Sequence, residues 1–363
     1  MLSNILGQPY AVTVLENALR DERLAGSYLF VGPDGVGKAT AAREFAKHLC
    51  GASSDGEFVA RAIDSGAFPD VRAITPPRSG IISIAQIWPR AGHATHAPES
   101  AMLRDIHFEP MAGPKRVFII EGAEGLGRGG ADAGNSLLKT LEEPPDYAHF
   151  VLTATSLAGL MPTIVSRCQV VPFGLLPADE IERTLVQKFD VAPGPAHFLA
   201  AYCEGRLGRA VTLARSPSVL AAREELLDWA RDLVSAPPIK SFKLGEELRK
   251  LAPKLKGAEE ATPTEGGDTE KTSNAREPLG RALDLLATYY RDVLAVRLVG
   301  EARASLVNLD RRVEIAGAAA RYEASHLEEA IALTIGIRQA IERNANAQIA
   351  TEALLTRLTT LTL

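Results

Sequence analysis

Several scarcities narrow what this chain can do. Only three cysteines occur in 363 residues, Cys50, Cys168 and Cys203, widely spaced and odd in number. They make neither a disulfide framework nor a zinc set, so no zinc is expected and a reduced, cytoplasmic compartment fits best. Positive charge is not in surplus. Forty Lys and Arg stand against 45 Asp and Glu, a net charge of −5, so the chain does not grip nucleic acid by bulk charge, although local basic patches remain open to it. No window of ~18 uncharged apolar residues exists to span a membrane. Met1 to Ile5 lacks a basic segment followed by an apolar core, so no signal peptide is expected. What the chain does have is a hydrophobic content of 46% over a length suited to two or three domains.

The most informative stretch is Gly32-Pro33-Asp34-Gly35-Val36-Gly37-Lys38-Ala39-Thr40. It follows the apolar run Ser27 to Val31, which reads as a buried strand, and precedes a helix-forming segment, Ala41 to Leu49. Strand, glycine loop and helix is the context in which G-x-x-x-x-G-K cradles phosphate. Glycines at 32, 35 and 37 let backbone N–H groups curl round an anion, and the helix N-terminus adds positive potential. Lys38 would reach the β- and γ-phosphates. The residue after this lysine should carry a hydroxyl for magnesium. Here it is Ala39, with Thr40 one place late, which weakens the case for magnesium-dependent hydrolysis.

Further strands are expected at Asp70–Ile74, Lys115–Glu121, Phe150–Thr155 and Val170–Phe173, alternating with helices such as Asp132–Glu143 and Pro162–Arg167. That alternation predicts a parallel α/β sheet. In P-loop ATPases the second functional strand ends in Asp-Glu, the Asp holding magnesium's water shell and the Glu polarising the attacking water. Here those places hold Glu121 and Gly122. Glu121 is either a metal-side acid one methylene too long or a strand-end surface acid. Gly122 activates nothing, and Glu124 would need an unusual backbone path to replace it. Thr155 sits where a polar group could sense a γ-phosphate through water, or is a plain strand-end residue. Gly51 to Gly66 reads as a mixed stretch. His93 and His96 lack a third ligand at suitable spacing and read as solvated loop, so no metal site is expected.

From Leu176 the strands stop. Ala178–Phe189 is an amphipathic helix, and Ala196–Leu213 holds more helix, broken at Gly205 and Gly208. Leu279–Leu298, the stripe Leu327, Ile331, Ile335 and Ile341, and Leu354, Leu355 and Leu358 continue the helical spacing. Between them, 257–277 is polar and almost without large apolar residues, and reads as a flexible insertion. The expected layout is an α/β nucleotide-binding domain at 1–175, a small helical lid at 176–216 and an all-helical assembly domain at 217–363.

Three segments together resemble bacterial clamp-loader subunits of the AAA+ class: Ile5-Leu6-Gly7-Gln8, Leu137-Leu138-Lys139-Thr140-Leu141-Glu142-Glu143-Pro144-Pro145, and Ser166-Arg167-Cys168. The resemblance is strong over about 1–215. Glu342 to Gln348, leading into Ala353-Leu354-Leu355, is similar to the last helices of the delta-prime type of DNA polymerase III subunit. Ala39, Glu121-Gly122, the missing zinc cysteines and the missing long tail all depart from the gamma/tau motor type, towards delta-prime. The resemblance implies an AAA+ domain, a lid and a collar. It implies a hetero-pentamer with gamma/tau and delta subunits that loads the sliding clamp on primer–template DNA. Arg167 would act as an arginine finger in a neighbour's ATP site. Arg209 would lie at the family's second sensor, or else serve helix packing or surface charge. ATP or ADP could occupy the loop, with little or no turnover by this chain. The rival readings are a gamma/tau-type motor, with Thr40 and Glu121 or Glu124 compensating, and a P-loop ATPase of another pathway.

Overall fold

The computed structural model describes residues 2–51, 56–77, 79–88, 102–128, 132–233, 237–255 and 268–361. His93 and His96 lie outside the described residues, as does 257–267 of the expected insertion. The chain divides into two compact units, Met1–Leu176 with Arg206–Gly208, and Pro177–Gly205 with Arg209–Leu363.

The first unit is built on a five-stranded sheet in the order β2-β3-β4-β1-β5. Its strands are β1 (Ser27–Val31), β2 (Val71–Ile74), β3 (Arg116–Ile120), β4 (Ala148–Ala154) and β5 (Gln169–Pro172). Every pairing is parallel, as the strand–helix alternation predicts. Successive side chains point to opposite faces, so Tyr28, Phe30, Val117, Ile119 and Val151 fill one core while Leu29, Phe118, Ile120, Phe150 and Leu152 fill the other. Helices Pro9–Arg20 and Lys38–Leu49 close the first core with Leu15 and Phe45. Helix Asp132–Glu142 closes the second with Leu137 and Leu141. Both faces being covered explains why the central strands β1, β3 and β4 read as largely apolar runs, while the edge strands β2 and β5 are less buried.

One helix was not expected. Gly56–Asp64 lies within the stretch read as mixed, and it packs Val59, Ala62 and Ile63 against the first core. Val59, Ala62 and Ile63 share one helical face, but nine residues give only about two and a half turns, too short for spacing alone to settle, and tertiary contact decides the state.

Ahead of β3 lies a buried ion pair. Asp70 is fully buried and accepts from the amides of Met111 at 2.8 Å, Ala112 at 2.6 Å and Gly113 at 3.0 Å. Its Oδ1 also takes Arg116 Nη2 at 3.0 Å. Burial pushes the Asp70 carboxyl up, but these donors outweigh it and hold the group below its usual range. The pair pins the turn that delivers β3 to the site.

All the regular elements of the second unit among the described residues are helices. Gly205, at φ +86° beside Glu204 at φ +47°, makes the expected break after helix Pro193–Tyr202. Gly208, which belongs to the first unit, makes no break. It lies inside helix Leu207–Ala214. Residues 268–277, the rest of the expected insertion, form the first turns of the long helix Asp268–Val299, which carries Pro278 inside it. Glu270, Lys271, Ala275, Arg276 and Glu277 are good helix formers, while Asp268, Thr269, Thr272, Ser273 and Asn274 are weak ones, so propensity there is mixed. Arg223 is buried here, donating to Asn308 Oδ1 and Asp310 Oδ1, each at 2.8 Å, and stacking 4.0 Å above the Phe198 ring.

Candidate functional site

β1 delivers the glycine loop to the carboxyl edge of the sheet, where open α/β folds bind ligands. Gly35 (φ +77°) and Gly37 (φ +99°) adopt the left-handed conformation that lets the loop curl. Gly37 caps helix Lys38–Leu49 without a side-chain cap, so the amides of the first turn are left to the loop. Gly32 is glycine for a different reason. A Cβ there would come within 2.1 Å of the Phe173 carbonyl oxygen at the end of β5.

Lys38 is buried, and its ammonium is turned back on its own loop. It donates to the carbonyls of Gly32 at 2.6 Å and Pro33 at 2.8 Å, with Asp34 Oδ1 at 3.6 Å. Two of the three ammonium donors are thus spent on loop carbonyls, and the Asp34 carboxylate lies close to the charge. Burial lowers the lysine's pKa, opposed by the charges of Asp34 and Glu124. Ala39 brings only a methyl to this loop, and the Thr40 hydroxyl sits on an exposed residue.

The acids divide unexpectedly. Glu121 is held by Arg43 of the P-loop helix, whose Nη2 is 2.6 Å from Oε1, and by the Thr75 hydroxyl at 3.3 Å. Gly122, at φ +60°, turns the chain, with its N–H on Thr153 Oγ1 at 3.1 Å. That turn provides the backbone path by which Glu124 returns towards the site. Its Oε1 accepts from the Thr155 amide at 2.5 Å and the Thr155 hydroxyl at 2.6 Å. Burial would raise the Glu124 carboxyl, but the Thr155 hydrogen bonds win and hold it low, so it is ionised. Thr155 therefore spends its hydroxyl proton on Glu124. Only the positive φ available to Gly122 could have signalled this in the sequence.

Gly208 also belongs to this unit. A Cβ there would lie 2.9 Å from the Gly35 carbonyl oxygen and 3.4 Å from the Gly37 nitrogen, so the Gly208 backbone lies directly against the P-loop. Its neighbour Arg209 is engaged elsewhere. Its guanidinium lies 5.1 Å from the centre of the Tyr202 ring and lines a 520 Å³ cavity of the second unit with Arg281, Asp284 and Arg338.

Arg167 follows helix Pro162–Val165 and precedes β5. Its side chain is 28% exposed and paired with Glu142 at 2.8 Å. It borders a cavity of about 270 Å³ with Ser27, Pro144 and His149.

Cys50 and Cys168 are both pushed up to about 12 by burial, so neither thiol ionises near neutrality. Among the described residues no group of His, Cys, Asp or Glu could hold a metal, and no helix is long and apolar enough to cross a membrane.

A family model described as "DNA polymerase III, delta subunit" matches residues 7–176. The delta′ subunit of DNA polymerase III from Bacillus subtilis is 30% identical over 299 residues, covering 81% of this chain and 79% of that protein. The tau/gamma subunit from Haemophilus influenzae is 35% identical over 187 residues, covering 50% of this chain but only 24% of the relative. The Bacillus subtilis tau subunit is 30% identical over 223 residues, with 58% of this chain and 36% of the relative covered. The chain therefore spans well under half the length of these tau-type relatives.

Proposed function

Because this chain belongs to the DNA polymerase III delta′ family of clamp-loader subunits, we propose that it is the stationary, non-hydrolysing member of a clamp loader. In this reading it joins gamma/tau and delta subunits in a hetero-pentamer that places the sliding clamp on primer–template DNA. Residues 1–175 carry the nucleotide fold and Arg167, 176–216 form the lid, and 217–363 form the collar. Arg167 is donated across the subunit boundary to stabilise charge on a neighbour's γ-phosphate.

One observation supports this most. The groups that would handle ATP are tied up within this chain, while Arg167, just past helix Pro162–Val165, is held by Glu142 and Thr163 yet stays partly exposed with an N–H to spare on each Nη. Lys38 is bound to its own loop, Glu121 to Arg43, and the Thr155 hydroxyl to Glu124. Gly122 offers no base, and Glu124, the acid that returns to the site, is tied to the Thr155 amide and hydroxyl. The uncapped helix N-terminus and the two left-handed glycines still fit a phosphate group, so ATP or ADP could be held there. The amides of 35–40 would hold it, with Lys38 exchanging its carbonyls for phosphate oxygens. Nothing in this donor set favours magnesium, since Ala39 lacks the hydroxyl and Glu121 already has its cation.

The test is ATP turnover. The isolated chain should hydrolyse ATP far more slowly than about 1 per second, the lower end for working enzymes. Arg167→Ala should depress the ATPase of the assembled complex while assembly stays intact. Turnover near that rate by the isolated chain would favour the motor reading.

A further inference from the structure

Arg167 is held by three hydrogen bonds from its own chain. Nε and Nη2 both donate to Glu142 Oε2, at 3.1 and 2.8 Å, and Nη1 donates to the Thr163 carbonyl at 3.0 Å. Glu142 is the last residue of helix Asp132–Glu142, fixed by the Pro144-Pro145 stop, and Thr163 lies in helix Pro162–Val165. Two backbone elements therefore set the plane of the guanidinium. A guanidinium has five N–H donors. Three are committed among the described contacts, which leaves one on each Nη. The Glu142 side chain is 58% exposed, and an ion pair that open to solvent adds little to stability. Its contribution has to be sought in geometry.

We propose that Glu142 is a positioning residue for Arg167. With the Thr163 carbonyl it fixes the guanidinium so that its two uncommitted Nη–H groups form a ready bidentate donor for a phosphate of the neighbouring protomer. This rests on the reading of Arg167 as a finger in trans. A free arginine on a surface samples many rotamers and loses that freedom on meeting its ligand. One already tethered along its Nε edge loses less. The Nε and Nη2 bonds to one carboxylate oxygen act as a hinge pin, and the Nη1 bond to a carbonyl stops rotation about it.

The test uses the assembled complex with a single active P-loop, in the protomer that faces Arg167, and measures kcat and KM for ATP with the clamp and primed DNA present. Arg167→Ala should lower kcat by about 1,000-fold, as loss of a finger does. Glu142→Ala should lower kcat about tenfold with KM unchanged, the order expected when a reacting group drifts by a fraction of an ångström. Glu142→Gln should recover most of this, because its carbonyl still accepts from Nε and Nη2. In an Arg167→Ala background, Glu142→Ala should have no further effect. Undiminished kcat in Arg167→Ala would overturn the finger reading, and the inference with it. A full loss in Arg167→Ala beside wild-type kcat in Glu142→Ala would overturn the positioning role alone. So would a Glu142→Ala defect that persists without Arg167, or a Glu142→Gln complex faster than wild type, which would show the carboxylate competing for the guanidinium. Melting curves and sedimentation of both Glu142 variants confirm that the complex assembles.

Discussion

Replacing Asp70 by Asn probes whether a buried ion pair holds the functional end of β3 in place. Asp70 uses both oxygens: Oδ1 accepts from Met111 N and Arg116 Nη2, and Oδ2 from Ala112 N and Gly113 N. An asparagine amide nitrogen in either place meets donors with donors. It also strips the counterion from Arg116, whose side chain is only 3% exposed. Removing one partner of a buried pair costs about 3–5 kcal/mol, mostly for the charge left behind. At roughly 2–4 °C per kcal/mol for a unit of this size, the first unit should melt about 6–20 °C lower. The two tryptophans fall one in each unit, Trp88 in the first and Trp229 in the second, so fluorescence of a Trp229→Phe background follows the first unit separately. Adding Arg116→Met should return part of the loss by removing the orphaned charge. Because the Asp70 carboxyl is held below its unfolded value, its contribution is present above the unfolded pKa, about 4, and disappears as pH falls through the folded one. The variant should therefore lose the steep part of the acid dependence below pH ~4. A loss under about 1 kcal/mol, the size of a surface pair, would refute the reasoning.

Two further perturbations follow from the same geometry. His197 faces an acceptor on each ring nitrogen, Glu182 Oε2 at 2.9 Å and the Leu306 carbonyl at 3.0 Å, and only the imidazolium can donate to both. Burial lowers its pKa, but Leu306, Glu182 and Asp310 outweigh that and raise it overall. Its stabilisation should be complete below the unfolded value of about 6.5 and fade as pH rises through the folded one. His197→Gln should flatten that dependence, and an imidazole NMR titration midpoint at or below the unfolded value would contradict it. Gly32→Ala drives a methyl to 2.1 Å from the Phe173 oxygen and should cost about 1–3 kcal/mol by parting β1 from β5. An unchanged Trp88 unfolding midpoint would show that the strands yield.

How much was legible depended on how local the cause was. The central strands could be read because each holds an apolar run between turn signals, and β1, taken as Ser27–Val31, has those bounds in the structure. The P-loop could be read because glycine spacing is itself the conformational instruction. Helix Gly56–Asp64 could not, since it depends on what Ile63 packs against. Nor could the exchange of acids. Glu121 looks like the functional carboxylate until Arg43, 78 positions earlier, is found upon it. Glu124 looks out of reach until the Gly122 turn brings it to Thr155. Gly208, read as a helix break, proved to be helix whose missing side chain admits the P-loop backbone.

The sequence alone determined the parallel α/β layout, the helical second half, the phosphate-type loop and the membership that Leu137–Pro145 and Ser166–Cys168 announce. All of these are local patterns, in which neighbours along the chain carry the physics. Only the tertiary structure decided what each charge meets: Lys38 its own carbonyls, Glu121 the Arg43 guanidinium, and Arg167 the Glu142 carboxylate that orients it. Charge pairing acts through space over a few ångströms, and residues remote in sequence come that close only once the chain has folded.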